Sequence, residues 1–147
     1  MNEVKVKKLN ENAKIPSRAT EGSAGADLYA VCESDLVEIA PHETVLIHTG
    51  LAFEIPDGYA GLVFARSSLG TKRGLAPANK VGVIDSDYRG EVMVSLHNHT
   101  NTVQRIDNGE RIAQMVIVPF LKADFTESDE LDDTLRGAGG FGSTGTK

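Results

Sequence analysis

One cysteine, no tryptophan and no long apolar run mark this 147-residue chain. Cys32 has no second thiol to pair with, which excludes an intramolecular disulfide framework and suits a reducing compartment. No stretch approaches the roughly 18 apolar residues that a membrane helix needs. Lys5, Lys7 and Lys8 lie near the start with no continuous apolar stretch behind them. A secretory signal is therefore not expected, and the cytoplasm is the expected address. A positive excess is missing too, since 15 Lys and Arg face 21 Asp and Glu for a formal net charge of −6. Duplex nucleic acid is bound through its phosphates by basic surfaces, so that class is disfavoured. There is no repeat at a solenoid period and no Gly-Lys-Ser/Thr phosphate loop between a strand and a helix.

What is present fits one globular domain. The chain is 40% apolar and 24% charged, and at this length folding can hide roughly 70% of the extended surface. Short segments rich in β-branched and aliphatic residues recur at 44–48, 51–55, 61–64, 91–96, 102–106 and 111–120. Turn clusters such as Ile55-Pro56-Asp57-Gly58 and Asp107-Asn108-Gly109 separate them, which predicts an all-β jelly roll, sandwich or barrel. The continuously apolar run 115–120 predicts a strand buried on both faces. Only Ser67–Arg73 predicts a helix, with Ser67 as its N-cap. Residues 1–121 read as the β domain, and 122–147 as an acidic linker followed by a glycine-rich lid.

Charge is unevenly spread. Asp124, Glu127, Asp129, Glu130, Asp132 and Asp133 cluster near the end, whereas Arg66, Lys72, Arg73, Lys80 and Arg89 face only Asp85 and Asp87. A local cationic loop on an acidic protein suits a small polyanion. Five segments hold polar and glycine residues beyond the needs of a β framework. In Ser23-Ala24-Gly25-Ala26-Asp27-Leu28, Asp27 is either a turn aspartate or an inward carboxylate near a metal-bound water. Ala65-Arg66-Ser67-Ser68 joins a guanidinium, hydroxyls and a helix start, which is the chemistry of phosphate capture, although a simple cap also explains the serines.

The third segment runs from Asn79 to Glu91. An apolar strand enters a polar turn in which Asp85 is the better water-activating base and Asp87 the more solvated carboxylate; a plain hairpin is the competing reading. Gln114 enters an apolar strand and needs a hydrogen-bond partner if buried. The last segment spans residues 136–145, where Arg136, Phe141, Ser143 and Thr144 sit among five glycines. Such a tail is either a disordered terminus or a lid that stacks Phe141 on a base and brings Arg136 to a phosphate. His97 and His99 would share one face of a strand, but no third ligand lies nearby in sequence and metal binding is disfavoured. Glu33 and Asp35 beside Cys32 disfavour its thiolate.

Taken in order, these segments resemble the five motifs of the homotrimeric deoxyuridine triphosphatases (dUTP pyrophosphatases), from residue 24 to residue 145. The resemblance implies a jelly-roll protomer and a trimer with active sites at the subunit interfaces, each closed by a neighbour's tail. It implies Mg²⁺-dependent hydrolysis of dUTP to dUMP and pyrophosphate, which limits uracil incorporation into DNA and supplies dUMP. By motif match Asp85 is the base that orients water, and Tyr88 packs on the deoxyribose. Asn79, Val83, Ile84 and Met93 fall in a β-hairpin pocket for uracil. Arg66, Ser67 and Ser68 fall in the phosphate-binding stretch. Asp27 and Gln114 support the site, Asp27 reaching the metal through water. Arg136, Phe141, Gly142, Ser143 and Thr144 form the lid. The family's phosphate-binding motif usually reads Pro-Arg-Ser-Gly, so Ala65 and Ser68 are departures. Two rivals are a dCTP deaminase-like enzyme, which needs a glutamate as proton carrier, and a non-catalytic dUTP-sensing regulatory trimer, which would be expected to have lost Asp85 or the tail.

Overall fold

A computed structural model describes residues 3–140, which form eleven strands and one helix. In chain order these are β1 (Lys5–Lys8), β2 (Ala26–Tyr29), β3 (Leu36–Ile39), β4 (Thr44–His48), β5 (Leu51–Glu54), β6 (Tyr59–Phe64), α1 (Ser67–Arg73), β7 (Leu75–Pro77), β8 (Gly82–Ile84), β9 (Met93–Asn98), β10 (Gln104–Asp107) and β11 (Arg111–Pro119). The larger sheets run β2-β11-β6-β8 and β4-β9-β7, and β1–β5 and β3–β10 pair separately. All these pairings are antiparallel. The result is the expected all-β jelly-roll protomer. No helix among the described residues is long and apolar enough to cross a membrane.

The core follows from alternation. In β9, Val94 and Leu96 turn inward while Met93 is exposed. Leu28, Ile39, Leu51, Leu75 and Ile106 are fully buried in the same cluster. Each such side chain contributes about 2 kcal/mol by leaving water. Asn98 is also buried and acts as a polar hub. Its Nδ2 donates to Ile39 O (3.0 Å), Ala40 O (3.1 Å) and Thr102 O (2.8 Å), and its Oδ1 accepts from Thr100. Asn98 is the last residue of β9, and residues 99–103 form the loop that leads to β10.

Three local expectations are corrected. Ser67 is the first residue of α1 and not its cap: Arg66 holds the cap position with extended backbone and no side-chain cap bond. The helix is closed at the other end by Gly74 at φ 63, where a Cβ would lie 2.5 Å from Thr100 Cγ2. The apolar run in β11 is buried only at its start. β2 covers that strand from Arg111 to Met115 and stops, so Val116 to Val118 are half-buried and Pro119 and Phe120 exposed. Finally, the segments flanking Asp85 are not paired with each other. β8 pairs with β6, and β9 with β4 and β7, so the polar turn links two sheets instead of closing a hairpin. Beyond Phe120 the described chain has no strand or helix, and nearly every residue is exposed.

Candidate active site

The register of the four-stranded sheet builds one end of the site. Gln114 of β11 lies opposite Asp27 of β2 on one side and Phe64 of β6 on the other. Directly paired residues share a face, so these three form a row, and Arg66 follows where β6 runs into α1. The side chains close a compact network. Arg66 Nε donates to Asp27 Oδ1 (2.8 Å), and Arg66 Nη1 donates to Ser68 Oγ (3.2 Å). Arg111 Nη1 donates to Asp27 Oδ2 (3.3 Å). Asp27 is buried, so stripping it of its cations would leave an uncompensated charge and cost about 3 kcal/mol or more.

Gln114 finds the partner its position demands. Its Nε2 donates to Ala65 O (3.0 Å), tying the arginine-bearing segment to β11. A Cβ at residue 25 would lie 2.5 Å from Gln114 Oε1, so only glycine leaves room for that carboxamide. Gly25, Ser23, Asp27, Arg66, Ser67 and Gln114 line a shared cleft of about 370 Å³. Its guanidinium, hydroxyls and small residues form a surface that a phosphate chain can approach.

Asp85 stands at the other end of the same ladder. In the β6–β8 pairing Ile84 lies opposite Gly61 and Gly82 opposite Val63. Asp85 therefore leaves the sheet near Ala60, while Arg66 leaves it past Phe64. At ~3.3 Å per residue the two departures are roughly 15–20 Å apart. Asp85 is exposed and makes no ion pair among the described residues. Its turn is nevertheless ordered: Tyr88 N donates to Asp85 O (3.2 Å), and Arg89 Nη1 donates to Ser86 O (2.6 Å) and Tyr88 O (3.0 Å). The Tyr88 hydroxyl donates to Glu91 O (2.9 Å), and its ring lies where a Cβ on Gly90 would have to go.

The remaining candidates divide between the two ends. Val83 (61% exposed), Met93 and Asn79 present themselves to solvent around the Asp85 turn, while Ile84 packs partly on the core. Arg136 donates from Nε to Gly139 O (2.8 Å) and, among the described residues, engages its own segment only. Phe141, Gly142, Ser143 and Thr144 lie outside the described residues. One functional candidate escapes sequence reading altogether, namely Arg111. The available signal is weak: it opens the same strand as Gln114, three residues ahead of it.

The two histidines of β9 and the loop after it have structural partners. His97 Nδ1 bonds Thr44 Oγ1 (2.8 Å), and the His97 and His99 rings meet edge to face at 4.5 Å. Burial and the carboxylates of Asp107 and Glu110 push the Cys32 thiol above its usual pKa. The direction agrees with the sequence argument, although the responsible carboxylates are distant in sequence.

A model of the dUTPase family matches residues 11–145. The deoxyuridine 5'-triphosphate nucleotidohydrolase of Acinetobacter baumannii (strain AYE) is 51% identical over 139 residues, covering 94% of this chain and 92% of the relative. That of Hahella chejuensis (strain KCTC 2396) is 53% identical over 142 residues, covering 96% and 93%. Among solved structures, Staphylococcus bacteriophage 80alpha dUTPase with dUpNHpp shows a TM-score of 0.89 at 31% identity, with 99% of each chain covered. A phage phi11 dUTPase of S. aureus, an aspartate-to-asparagine mutant described with a structural Mg(II) ion, gives 0.81 at 26% identity, covering 90% of this chain and 100% of that one. Sequence and fold agree over nearly the whole length, and the chain belongs to the dUTPase family.

Proposed function

We propose that the protein hydrolyses dUTP to dUMP and pyrophosphate in the cytoplasm, at sites shared between the protomers of a homotrimer. The observation that carries the shared-site reading is the separation of Asp85 from Arg66 along the β6–β8 ladder. A triphosphate held by Arg66 of one protomer can meet the Asp85 of another. The exposed apolar end of β11 supplies surface for such an assembly.

In this site the Asp85 side chain accepts a proton from the water that attacks the α-phosphorus. The new O–P bond forms as the bond to the β-phosphate oxygen breaks, and pyrophosphate leaves. Tyr88, held by Glu91 O, packs on the deoxyribose and excludes a 2′-hydroxyl. Asn79, Val83, Ile84 and Met93 surround uracil. Arg66, Ser67 and Ser68 hold phosphates, with Gln114 fixing the loop that bears them. Arg136, Phe141, Gly142, Ser143 and Thr144 act as the lid, which excludes water on closure.

The donor set fits Mg²⁺ carried in by the substrate. Among the described residues no group of three His, Cys, Asp or Glu side chains converges, and both oxygens of Asp27 already accept from guanidinium groups. Such a metal would be held chiefly by the substrate's phosphates and by water, with Asp27 reaching it through water, and would neutralise charge developing on the phosphates.

Incubation with Mg²⁺ and dUTP should release pyrophosphate while UTP, dCTP and dTTP stay largely intact. Equal rates on all four would remove the uracil assignment, and binding without turnover would favour a dUTP-sensing role.

A further inference from the structure

Arg111 opens β11 with its side chain 48% exposed, and the reaction described above gives it no task. Its geometry supplies one. Asp27, with a side chain only 12% exposed, shares its two oxygens between Arg66 and Arg111. With Arg66 alone, the second oxygen of Asp27 would lose its donor and draw on a second nitrogen of Arg66, closing a bidentate pair that takes the guanidinium away from an anion in the cleft. With Arg111 present the trio carries one net positive charge. Arg66 is also committed on two of its three nitrogens: Nε to Asp27, and Nη1 to Ser68. Its Nη2 has no protein partner among the described residues.

We infer that Arg111 is a positioning residue that balances Asp27, leaving the charge and free Nη2 of Arg66 for the phosphates of a nucleoside triphosphate. Asp27 is thereby the hinge of the arrangement: one oxygen orients the phosphate-binding arginine, and the other is neutralised from behind. The inference rests on the proposed dUTP hydrolysis and adds to it a residue that acts through another. It separates Arg111 from groups that touch substrate, since its own contact is to the carboxylate.

Calorimetric titration of the full-length protein, with Mg²⁺ and either dUMP or α,β-imido-dUTP, gives a ratio of triphosphate to monophosphate affinity. Arg111→Gln is expected to lower that ratio about tenfold, the size of one charge-assisted interaction. Arg111→Lys should restore most of it, because charge is what Asp27 requires. In an Asp27→Asn background the Arg111→Gln change should add less than about twofold, since no carboxylate charge remains to be balanced. An unchanged ratio in Arg111→Gln overturns the inference. So does a tenfold loss that persists in the Asp27→Asn background, which makes Arg111 a direct phosphate contact. Sedimentation checks assembly, and Arg111→Met, which keeps the aliphatic stem, takes the place of Gln if that variant does not assemble. Should the wild type prefer no uracil nucleotide, the proposed function fails, while the same ratio measured with dCMP and an imido analogue of dCTP still tests Arg111.

Discussion

The two ends of the β6–β8 ladder are built on opposite plans. At the Arg66 end a buried carboxylate, two guanidinium groups and a serine are hydrogen-bonded to one another, and a carboxamide holds the adjoining backbone at Ala65. At the Asp85 end the backbone turn is stapled by Arg89 and Tyr88, yet the carboxylate and the flanking Val83 and Asn79 face solvent. One end is pre-arranged for a charged ligand before it arrives. The other presents a rigid loop whose remaining walls must come from elsewhere. Under the shared-site reading, the contrast teaches that a fold can finish phosphate recognition within one protomer and leave the reacting carboxylate for export to another.

The largest expected effect comes from removing the exported group. Asp85→Asn should bind a non-hydrolysable dUTP analogue near normally while turnover falls at least ~100-fold, as loss of a general base implies; stopped-flow pyrophosphate release reads the rate. Next comes a direct attack on the shared-site reading. Asp85→Asn and Arg66→Gln proteins, each nearly inactive, are unfolded together and refolded at equal concentration. If every site takes these residues from different protomers, about one quarter of sites are intact after random mixing, and activity returns to that level. No recovery, with mixed trimers verified by mass spectrometry, would place both groups in one protomer.

Smaller effects sharpen the pre-arranged end. Ser68→Gly restores the more usual family residue but deprives Arg66 Nη1 of its acceptor. We expect kcat/KM to fall about two- to fivefold, the size of one neutral hydrogen-bond partner, with thermal unfolding unchanged. The smallest effect concerns Cys32. Its raised pKa means less thiolate at a given pH, so at pH 8 iodoacetamide should modify the native protein several-fold more slowly than the urea-unfolded chain. Equal rates would show that burial and the neighbouring carboxylates do not protect it.

How far sequence could anticipate these two ends follows from where their order originates. Strands such as β4, β6 and β9 declare themselves through aliphatic and β-branched residues bounded by turn residues. By contrast β1 reads Lys5-Val6-Lys7-Lys8 and becomes a strand by lying along β5, while β7 is three residues ending in Pro77. Both are made by tertiary pairing and not by local preference. The same division holds in the site. Asp85, Arg66 and Gln114 are conspicuous because each interrupts its surroundings with the wrong polarity. The bond from Arg111 to Asp27 joins residues 84 positions apart and has no local signature. Ser68 was legible as a departure, but its role as the acceptor for Arg66 needed the turn of α1. The half-open course of β11 was hidden for a related reason, since an apolar run does not reveal where its neighbouring strand stops.

The spacing imposed by the β6–β8 ladder has a genetic consequence. Under the shared-site reading, a chain that has lost Asp85 leaves its own phosphate pocket sound and spoils the pocket of the copy beside it. In a cell making normal and damaged chains together, the defect is passed to healthy neighbours, so such an allele should act dominantly, while one that merely prevents folding should not.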